Sequence, residues 1–228
     1  MRAGAIVAGV LIGAVVAVGC GGATEATTVD ERPTEIRAWG CGGADPAVGS
    51  GTAIDAATVL TVAHVVAGAD SIIVTDASGA EHDATVAAID TDLDLAVLDV
   101  PGLDVTDVEL ASLGAGDRGT ASGLGTGGEF GWTVERTVVI RFADIYGEGA
   151  HDRAGYELDA TVERGDSGAG LFADDGSLGG VVFAASRRDS ARAWATDIAA
   201  AEDILDVAGE ADPAGREPAE CVTLTRAG

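Results

Sequence analysis

Apolar residues in this chain occur in short runs, and glycine or aspartate separates one run from the next. From residue 36 onward the runs are rich in Val and Ile and end at turn residues, which favours β-strands over helices. The predicted strands are Gly51–Ile54, Val59–Val62, Ser71–Thr75, Ala84–Asp90, Ala96–Val100, Gly119–Leu124, Thr133–Phe142, Tyr156–Val162, Gly170–Phe172 and Gly179–Ala185.

A helical pattern occurs late in the chain, over about 197–207. Asp197 is a suitable N-cap, and Ile198, Ala201 and Leu205 fall on one stripe of the helix. Strands and helices do not alternate, which disfavours a parallel α/β sheet. The many short strands predict an all-β sandwich or barrel with a short C-terminal helix.

The first 20 residues predict an export signal. Arg2 precedes an uncharged run over residues 3–19, which as a helix spans roughly 25 Å, less than the ~30 Å hydrocarbon core of a membrane. The run ends in Ala-Val-Gly-Cys, which resembles a bacterial lipobox and makes Cys20 the expected lipidation site. An uncleaved membrane anchor is the alternative. Residues 21–35 are small, polar and acidic, and predict a flexible tether.

The net charge of the chain disfavours two classes of binding partner, nucleic acids and anionic lipid surfaces. The 228 residues carry 38 Asp and Glu against 13 basic residues, all of them Arg, for a net charge of −25. Such a chain lacks the basic face that nucleic acids or anionic lipid surfaces attract. Membrane association is therefore expected only through the lipid or the N-terminal anchor, which places the rest of the chain outside the cytoplasm, as a cell-membrane-anchored or secreted protein.

Three cysteines are present. If Cys20 carries lipid, Cys41 and Cys221 remain, and an oxidising compartment favours a disulfide between them. Two free thiols are the alternative. The cysteines are too far apart in sequence for a metal knuckle, so no metal is expected.

Three residues together predict nucleophilic catalysis. A serine hydroxyl becomes a nucleophile beside a base that a third group orients. His64 lies in VLTVAHVV, Asp94 is followed directly by the apolar run LAVL, and Ser167 lies in GDSG. Their order along the chain, His, Asp, Ser, is the chymotrypsin order. Every histidine precedes Ser167, which excludes an α/β-hydrolase.

These motifs carry a family resemblance. The chain resembles the trypsin-like serine proteases and, more narrowly, the actinobacterial MarP-type periplasmic serine proteases, over roughly residues 36–222. One short apolar segment stands where the MarP-type proteases have a multi-helix membrane domain. The motifs shared with the trypsin-like proteases are GSGTAI at 49–54, LTVAHVV at 60–66, DLAVL at 94–98 and GDSG at 165–168. The pieces that match the MarP-type proteases are DIYG at 144–147, GVVFAAS at 180–186, and the flanking Cys41 and Cys221.

The resemblance implies a chymotrypsin-like double β-barrel within a protease domain at about 36–226. The first barrel, about 36–114, would carry His64 and Asp94, and the second, about 115–195, would carry Ser167. The active site would then lie in the cleft between the barrels, and the reaction would be peptide-bond hydrolysis through an acyl-enzyme without a cofactor.

The resemblance also implies finer roles. The backbone N–H groups of Gly165 and Ser167 would form the oxyanion hole. Thr161 would form the floor of the primary specificity pocket. Because its side chain is neutral, we expect cleavage after small or medium apolar residues rather than after Arg or Lys. The expected pocket wall consists of Phe183, Ala184 and Ala185.

The segment 123–128, GLGTGG, matches a dinucleotide-binding pattern, but a strand follows it instead of a helix, which predicts a loop beside the cleft. The segment 37–40 lacks the Ile-Val-Gly-Gly start of zymogens, so a new N-terminus is not expected to pair with Asp166. A non-catalytic binding protein and an esterase on the same fold remain as alternatives.

Overall fold

Two β-barrels and a C-terminal helix make up the fold. The structure is a computed structural model, and it describes residues 31–210 and 221. Its elements are β1 (Pro33–Gly40), β2 (Ala47–Ala53), β3 (Thr58–Thr61), α1 (Ala63–Val66), β4 (Ala69–Thr75), β5 (Glu81–Asp90), β6 (Leu95–Asp99), β7 (Arg118–Gly123), β8 (Gly128–Phe142), β9 (His151–Asp159), β10 (Gly170–Ala173), β11 (Leu178–Ala185), β12 (Arg192–Asp197) and α2 (Ala199–Glu210).

Each barrel closes through antiparallel pairs of strands. The first barrel has the order β1-β2-β3-β6-β5-β4, and the second has the order β10-β11-β12-β9-β8-β7. The first barrel encloses Val, Ile and Leu side chains, while Trp132 and Tyr156 supply bulk inside the second. The two closed barrels confirm the predicted chymotrypsin-like all-β fold.

Helix α2 returns from the second barrel to the first. Its buried face, with Ala201 and Ile204, belongs to the same apolar core as the interior of the first barrel, together with Ile198 just before the helix. The Asp197 carboxylate accepts a hydrogen bond from Ala199 N–H at 3.1 Å, beside the start of the helix. The helix therefore runs over 199–210, two residues later at its start and three later at its end than the sequence predicted.

The segment between the barrels is anchored in the second barrel. Leu113 N–H donates to the hydroxyl of the buried Tyr156 at 2.9 Å, and Leu178 exchanges backbone hydrogen bonds with Glu109 and Ala111. Burial is the main cause that raises the pKa of the Tyr156 hydroxyl. The last strand of the first barrel ends at Asp99, and the first strand of the second barrel begins at Arg118. The expected boundary between the barrels, at 114–115, lies within this connecting segment.

The ten predicted strands all overlap observed strands, but β1 and β12 were missed. The expected tether, 21–35, was too long at its end. Strand β1 begins at Pro33 and pairs with β2, and the buried Arg32 donates to Thr106 O at 2.8 Å. The rest of the tether, the predicted export signal and Cys20 lie outside the described residues. Within residues 31–210, no helix is long and apolar enough to cross a membrane.

The predicted disulfide is present. Cys41, which follows β1, is bonded to Cys221 across a sequence separation of 180. Gly68 packs against the bridge, because a Cβ added there would lie 2.7 Å from Cys41 Sγ and 2.8 Å from Cys221 Cα. The bridge therefore fastens the end of the described chain to the first barrel, next to the turn that follows α1.

Replacing both bridge cysteines, Cys41→Ser with Cys221→Ser, should lower the free energy of unfolding by about 2–5 kcal/mol, because the open chain gains loop entropy when it unfolds. Urea unfolding of the full-length chain measures this. Reduction of the unaltered chain should give the same loss. A change below about 0.5 kcal/mol in both experiments would contradict the expectation.

Candidate active site

His64 lies in α1, a one-turn helix between β3 and β4. Its neighbours Ala63, Val65 and Val66 are buried in the first barrel, whereas 30% of the His64 side chain is exposed. The apolar run around this histidine therefore fixes the helix in the core and leaves one side of the imidazole accessible.

Asp94 ends the turn that connects β5 to β6. The turn is held by Asp90, whose carboxylate accepts hydrogen bonds from Asp92 N–H at 2.9 Å and Leu93 N–H at 2.8 Å. Asp94 itself has φ +55°, a left-handed conformation that aspartate adopts more readily than most residues. The apolar strand begins at the next residue, Leu95, so Asp94 is held almost buried at the strand's start.

The imidazole and the carboxylate meet directly. His64 Nδ1 lies 2.8 Å from Asp94 Oδ2 and 3.1 Å from Oδ1, and His64 N–H donates to Oδ1 at 2.9 Å. The carboxylate thus holds both the ring and the backbone of the histidine. A hydrogen bond at Nδ1 leaves Nε2 as the ring nitrogen that is free to exchange a proton with a substrate or nucleophile.

Ser167 lies in the loop between β9 and β10 and is tied to the first barrel through its backbone. Ser50 N–H, in β2, donates to Ser167 O at 2.8 Å. A Cβ added at Gly49 would lie 2.7 Å from Val65 Cγ2 and 3.2 Å from Ser167 O, so the bare Gly49 touches both the helix that carries His64 and the serine loop. The backbone of the serine loop therefore lies against the first barrel, beside the strand that contacts the helix carrying His64.

The loop before Ser167 contains a buried carboxylate, that of Asp166. Its Oδ1 accepts a hydrogen bond from Thr126 N–H at 2.9 Å, and its Oδ2 accepts one from Glu163 N–H at 2.8 Å. The Asp166 carboxylate therefore joins its own turn to the glycine-rich segment 123–128. The sequence placed this segment beside the cleft but gave no signal for the contact.

Three of the expected pocket residues are on β11, and Thr161 precedes the serine loop in sequence. Val182 exchanges backbone hydrogen bonds with Gly168 and Ala169 at 2.8 and 2.9 Å, so β11 pairs with the residues that directly follow Ser167. The Phe183 ring is buried, Ala184 is half-buried, and Ala185 and Thr161 are exposed.

Two residues near Asp94 were missed by the sequence reasoning. The buried Arg153 donates from Nη2 to Asp92 O at 3.3 Å, and His151 Nδ1 lies 3.1 Å from Asp92 Oδ2. With Asp144, Asp92 and His151 form a group whose ligand atoms lie within 4.8 Å of one another. Both missed residues are on β9 and bridge the barrels.

Comparisons with known proteins identify the family of this chain. The family model described as "Trypsin-like peptidase domain" matches residues 49–181. Serine protease Rv3671c of Mycobacterium tuberculosis is 32% identical over 173 residues, which cover 73% of this chain and 43% of the relative. Serine protease Do-like HtrB of Bacillus subtilis is 30% identical over 56% of this chain and 30% of the relative. The chain thus spans less than half the length of these curated relatives.

Solved structures show the same fold. The active form of the Rv3671c protease from M. tuberculosis superposes with a TM-score of 0.77 at 27% identity, and the match covers 86% of this chain and 87% of that one. Its inactive form gives a TM-score of 0.67 at 28% identity, over 79% and 90% of the two chains. The chain belongs to the trypsin-like peptidase family and is similar to the serine protease Rv3671c.

Proposed function

We propose that this chain is an extracytoplasmic serine endopeptidase in which Ser167 is the nucleophile, His64 the general base and Asp94 the group that orients the imidazole. The observation that carries the proposal is the double hydrogen bond from His64 to the Asp94 carboxylate, beside a serine loop bonded to the same barrel.

The proposed reaction has two halves. His64 Nε2 takes the Ser167 hydroxyl proton as the oxygen attacks the scissile carbonyl, and it then gives that proton to the leaving amine. A water molecule, deprotonated by the same imidazole, releases the acid and restores the serine. The Asp94 carboxylate stabilises the imidazolium in both halves without taking its proton.

The turn at residues 163–166 supports the oxyanion hole. Asp166 N–H donates to Glu163 O at 3.2 Å, and Gly165, the third residue of this turn, has φ +111°. A positive φ at this position is typical of a type II turn, which reverses the peptide between Arg164 and Gly165 relative to type I. Gly165 N–H would then point into the cleft together with Ser167 N–H.

The glycine-rich segment 123–128 packs against this turn. A Cβ added at Gly125 would lie 2.6 Å from Arg164 O and 2.9 Å from Asp166 Oδ1, so the Arg164 carbonyl faces Gly125. Carbonyl and N–H point in opposite directions across a planar trans peptide, which directs Gly165 N–H away from Gly125. Any side chain at 125 would push on the carbonyl that sets this orientation.

The substrate preference is proposed from the pocket. Thr161 supplies no charge, and Phe183, Ala184 and Ala185 offer an apolar wall. A cationic residue before the scissile bond would have no partner among these four side chains, while a small or medium apolar residue would bury its surface at no electrostatic cost.

The location is proposed from two features. The first 20 residues have the composition of an export signal, and Cys41 and Cys221 form a disulfide of the kind that persists in oxidising compartments. Lipidation at Cys20, or the uncleaved apolar segment, would hold the protease at the outer face of the cell membrane.

Ser167→Ala should abolish hydrolysis of a fluorogenic peptide while shifting the melting temperature by less than about 2 °C, because only a partly exposed hydroxyl is removed. Ser186→Ala is the matched control and should retain activity. Retained hydrolysis in Ser167→Ala would place the nucleophile elsewhere. Ester hydrolysis without peptide hydrolysis in the unaltered chain would indicate an esterase, and neither activity in the folded chain would indicate a binding protein.

Gly125→Ala should lower kcat by about 10²–10³-fold, the usual cost of one lost oxyanion-hole donor, and should leave KM within about threefold. Gly131→Ala, on β8, is the control, because the nearest atom to its added Cβ, Gly119 O, is 4.0 Å away. Equal activity of the two variants would show that the glycine-rich segment does not support the oxyanion hole.

Thr161→Asp should raise kcat/KM for a peptide with Arg before the scissile bond by about tenfold or more and lower it for the matching Ala peptide, because the new carboxylate can pair with the guanidinium. Thr161→Asn is the neutral control and should not gain Arg cleavage. An unchanged Arg-to-Ala ratio in Thr161→Asp would remove Thr161 from the pocket.

A further inference from the structure

Arg153 is a buried cation at the junction of the two barrels. It lies near the start of β9, is 3% exposed, and donates from Nη2 to the carbonyl oxygen of Asp92, 61 positions earlier in the chain. Its Nε has no hydrogen-bond partner among the described residues. A charged group is rarely held in such a place without a compensating interaction.

Two aromatic rings partly compensate for the burial of the Arg153 charge. The guanidinium carbon lies 4.3 Å from the centre of the Phe183 ring and 5.8 Å from that of Phe142, and these two rings meet edge to face at 5.4 Å. A guanidinium over the negative face of a ring is attracted by it, most strongly where water is excluded. Arg153 therefore joins the expected pocket wall at Phe183 to the turn that ends in Asp94.

The remaining compensation comes from carboxylates. Burial lowers the pKa of the Arg153 guanidinium, and the charges of Asp94 and Asp90 oppose this effect. Asp94 is the carboxylate that binds His64, and Asp90 holds the turn between them. The buried cation of the second barrel is thus partly offset by the charges of two carboxylates of the first.

Two neighbouring contacts hold the same turn. His151, two residues before Arg153, pairs with the Asp92 side chain at 3.1 Å. Ile145 N–H, from the loop between β8 and β9, donates to Thr91 O at 3.1 Å. The β8–β9 hairpin therefore contacts the turn at two consecutive residues, Thr91 and Asp92, and Arg153 makes the buried one of these contacts.

We propose that Arg153 is a positioning residue, which from the second barrel holds the Asp90–Asp94 turn and keeps the Asp94 carboxylate aligned with His64 Nδ1. This inference rests on the proposed roles of Asp94 and His64. Arg153 does not touch the substrate in this proposal. It acts through the Asp92 carbonyl, which lies two residues before the catalytic carboxylate.

The test measures the His64–Asp94 hydrogen bond itself, by proton NMR of the His64 Nδ1–H in the full-length chain at a pH where the imidazole is charged. A proton in a short, charge-assisted hydrogen bond resonates far downfield. The signal is assigned by its loss in His64→Gln. The readout does not depend on peptidase activity.

Arg153→Met keeps the length and apolar bulk of the side chain but removes its charge and donors. We expect the His64 signal to move upfield and kcat to fall about 10- to 100-fold, a part of the roughly 10⁴-fold lost when the aspartate can no longer orient the histidine. KM should stay within about threefold. Arg153→Lys keeps the charge without the planar fork and should give smaller changes in the same direction.

Arg141→Met is the matched control, because Arg141 is on the same hairpin, 70% exposed, and only 3.9 Å from its partner Asp152. It should leave the signal and kcat unchanged. Where Arg153→Met fails to fold, Arg153→Lys carries the test. A folded Arg153 variant with a lower melting temperature but an unmoved His64 signal would overturn the proposal and leave Arg153 a packing residue.

The two proposals fail in different ways. If the unaltered chain does not hydrolyse peptides but the His64 signal moves upfield in Arg153→Met, the proposed function is wrong and the positioning role of Arg153 stands. If the unaltered chain is an active peptidase and the signal does not move, the proposed function stands and the role of Arg153 is wrong.

Discussion

Ser50 is the residue on which the assembly of the site depends. Its N–H donates to Ser167 O, its hydroxyl donates to Gly165 O at 2.7 Å and accepts from Leu124 N–H at 2.9 Å, and its own carbonyl accepts from Thr61 Oγ1 at 2.7 Å. One residue of the first barrel thereby fixes the serine loop and the glycine-rich segment of the second. One of these four bonds joins two backbone groups, and the other three pair a backbone group with the hydroxyl of Ser50 or Thr61. Because these two side chains are short, ordering them costs little conformational entropy.

Residues of the second barrel in turn hold a segment of the first barrel. The second barrel holds the turn that ends in Asp94, through Arg153 and His151, while the first barrel holds the loop that contains Ser167. Each barrel therefore positions a catalytic element that the other contributes. Contacts that join the two barrels are therefore also contacts that hold the proposed triad.

The features that could be predicted from the sequence are those that short, local motifs encode. His64 and Ser167 lie in short, distinctive segments, and Asp94 was separated from its neighbours by the apolar run that begins at Leu95. The glycine-rich segment was identified only as a loop, because Thr126 meets Asp166 across 40 positions. Arg153 was missed for the same reason. Strand β12 was missed because two of its three buried residues, Ala193 and Ala195, are alanines, a residue type that is depleted in strands.

The most direct test of the central claim is the site and rate of reaction with a fluorophosphonate, which phosphonylates a serine only where a neighbouring base activates it. Mass spectrometry of the digested full-length chain locates the adduct. We predict a single adduct on Ser167, formed at neutral pH and lost in His64→Ala. An adduct on another residue, or labelling of Ser167 at the same rate without His64, would contradict the account.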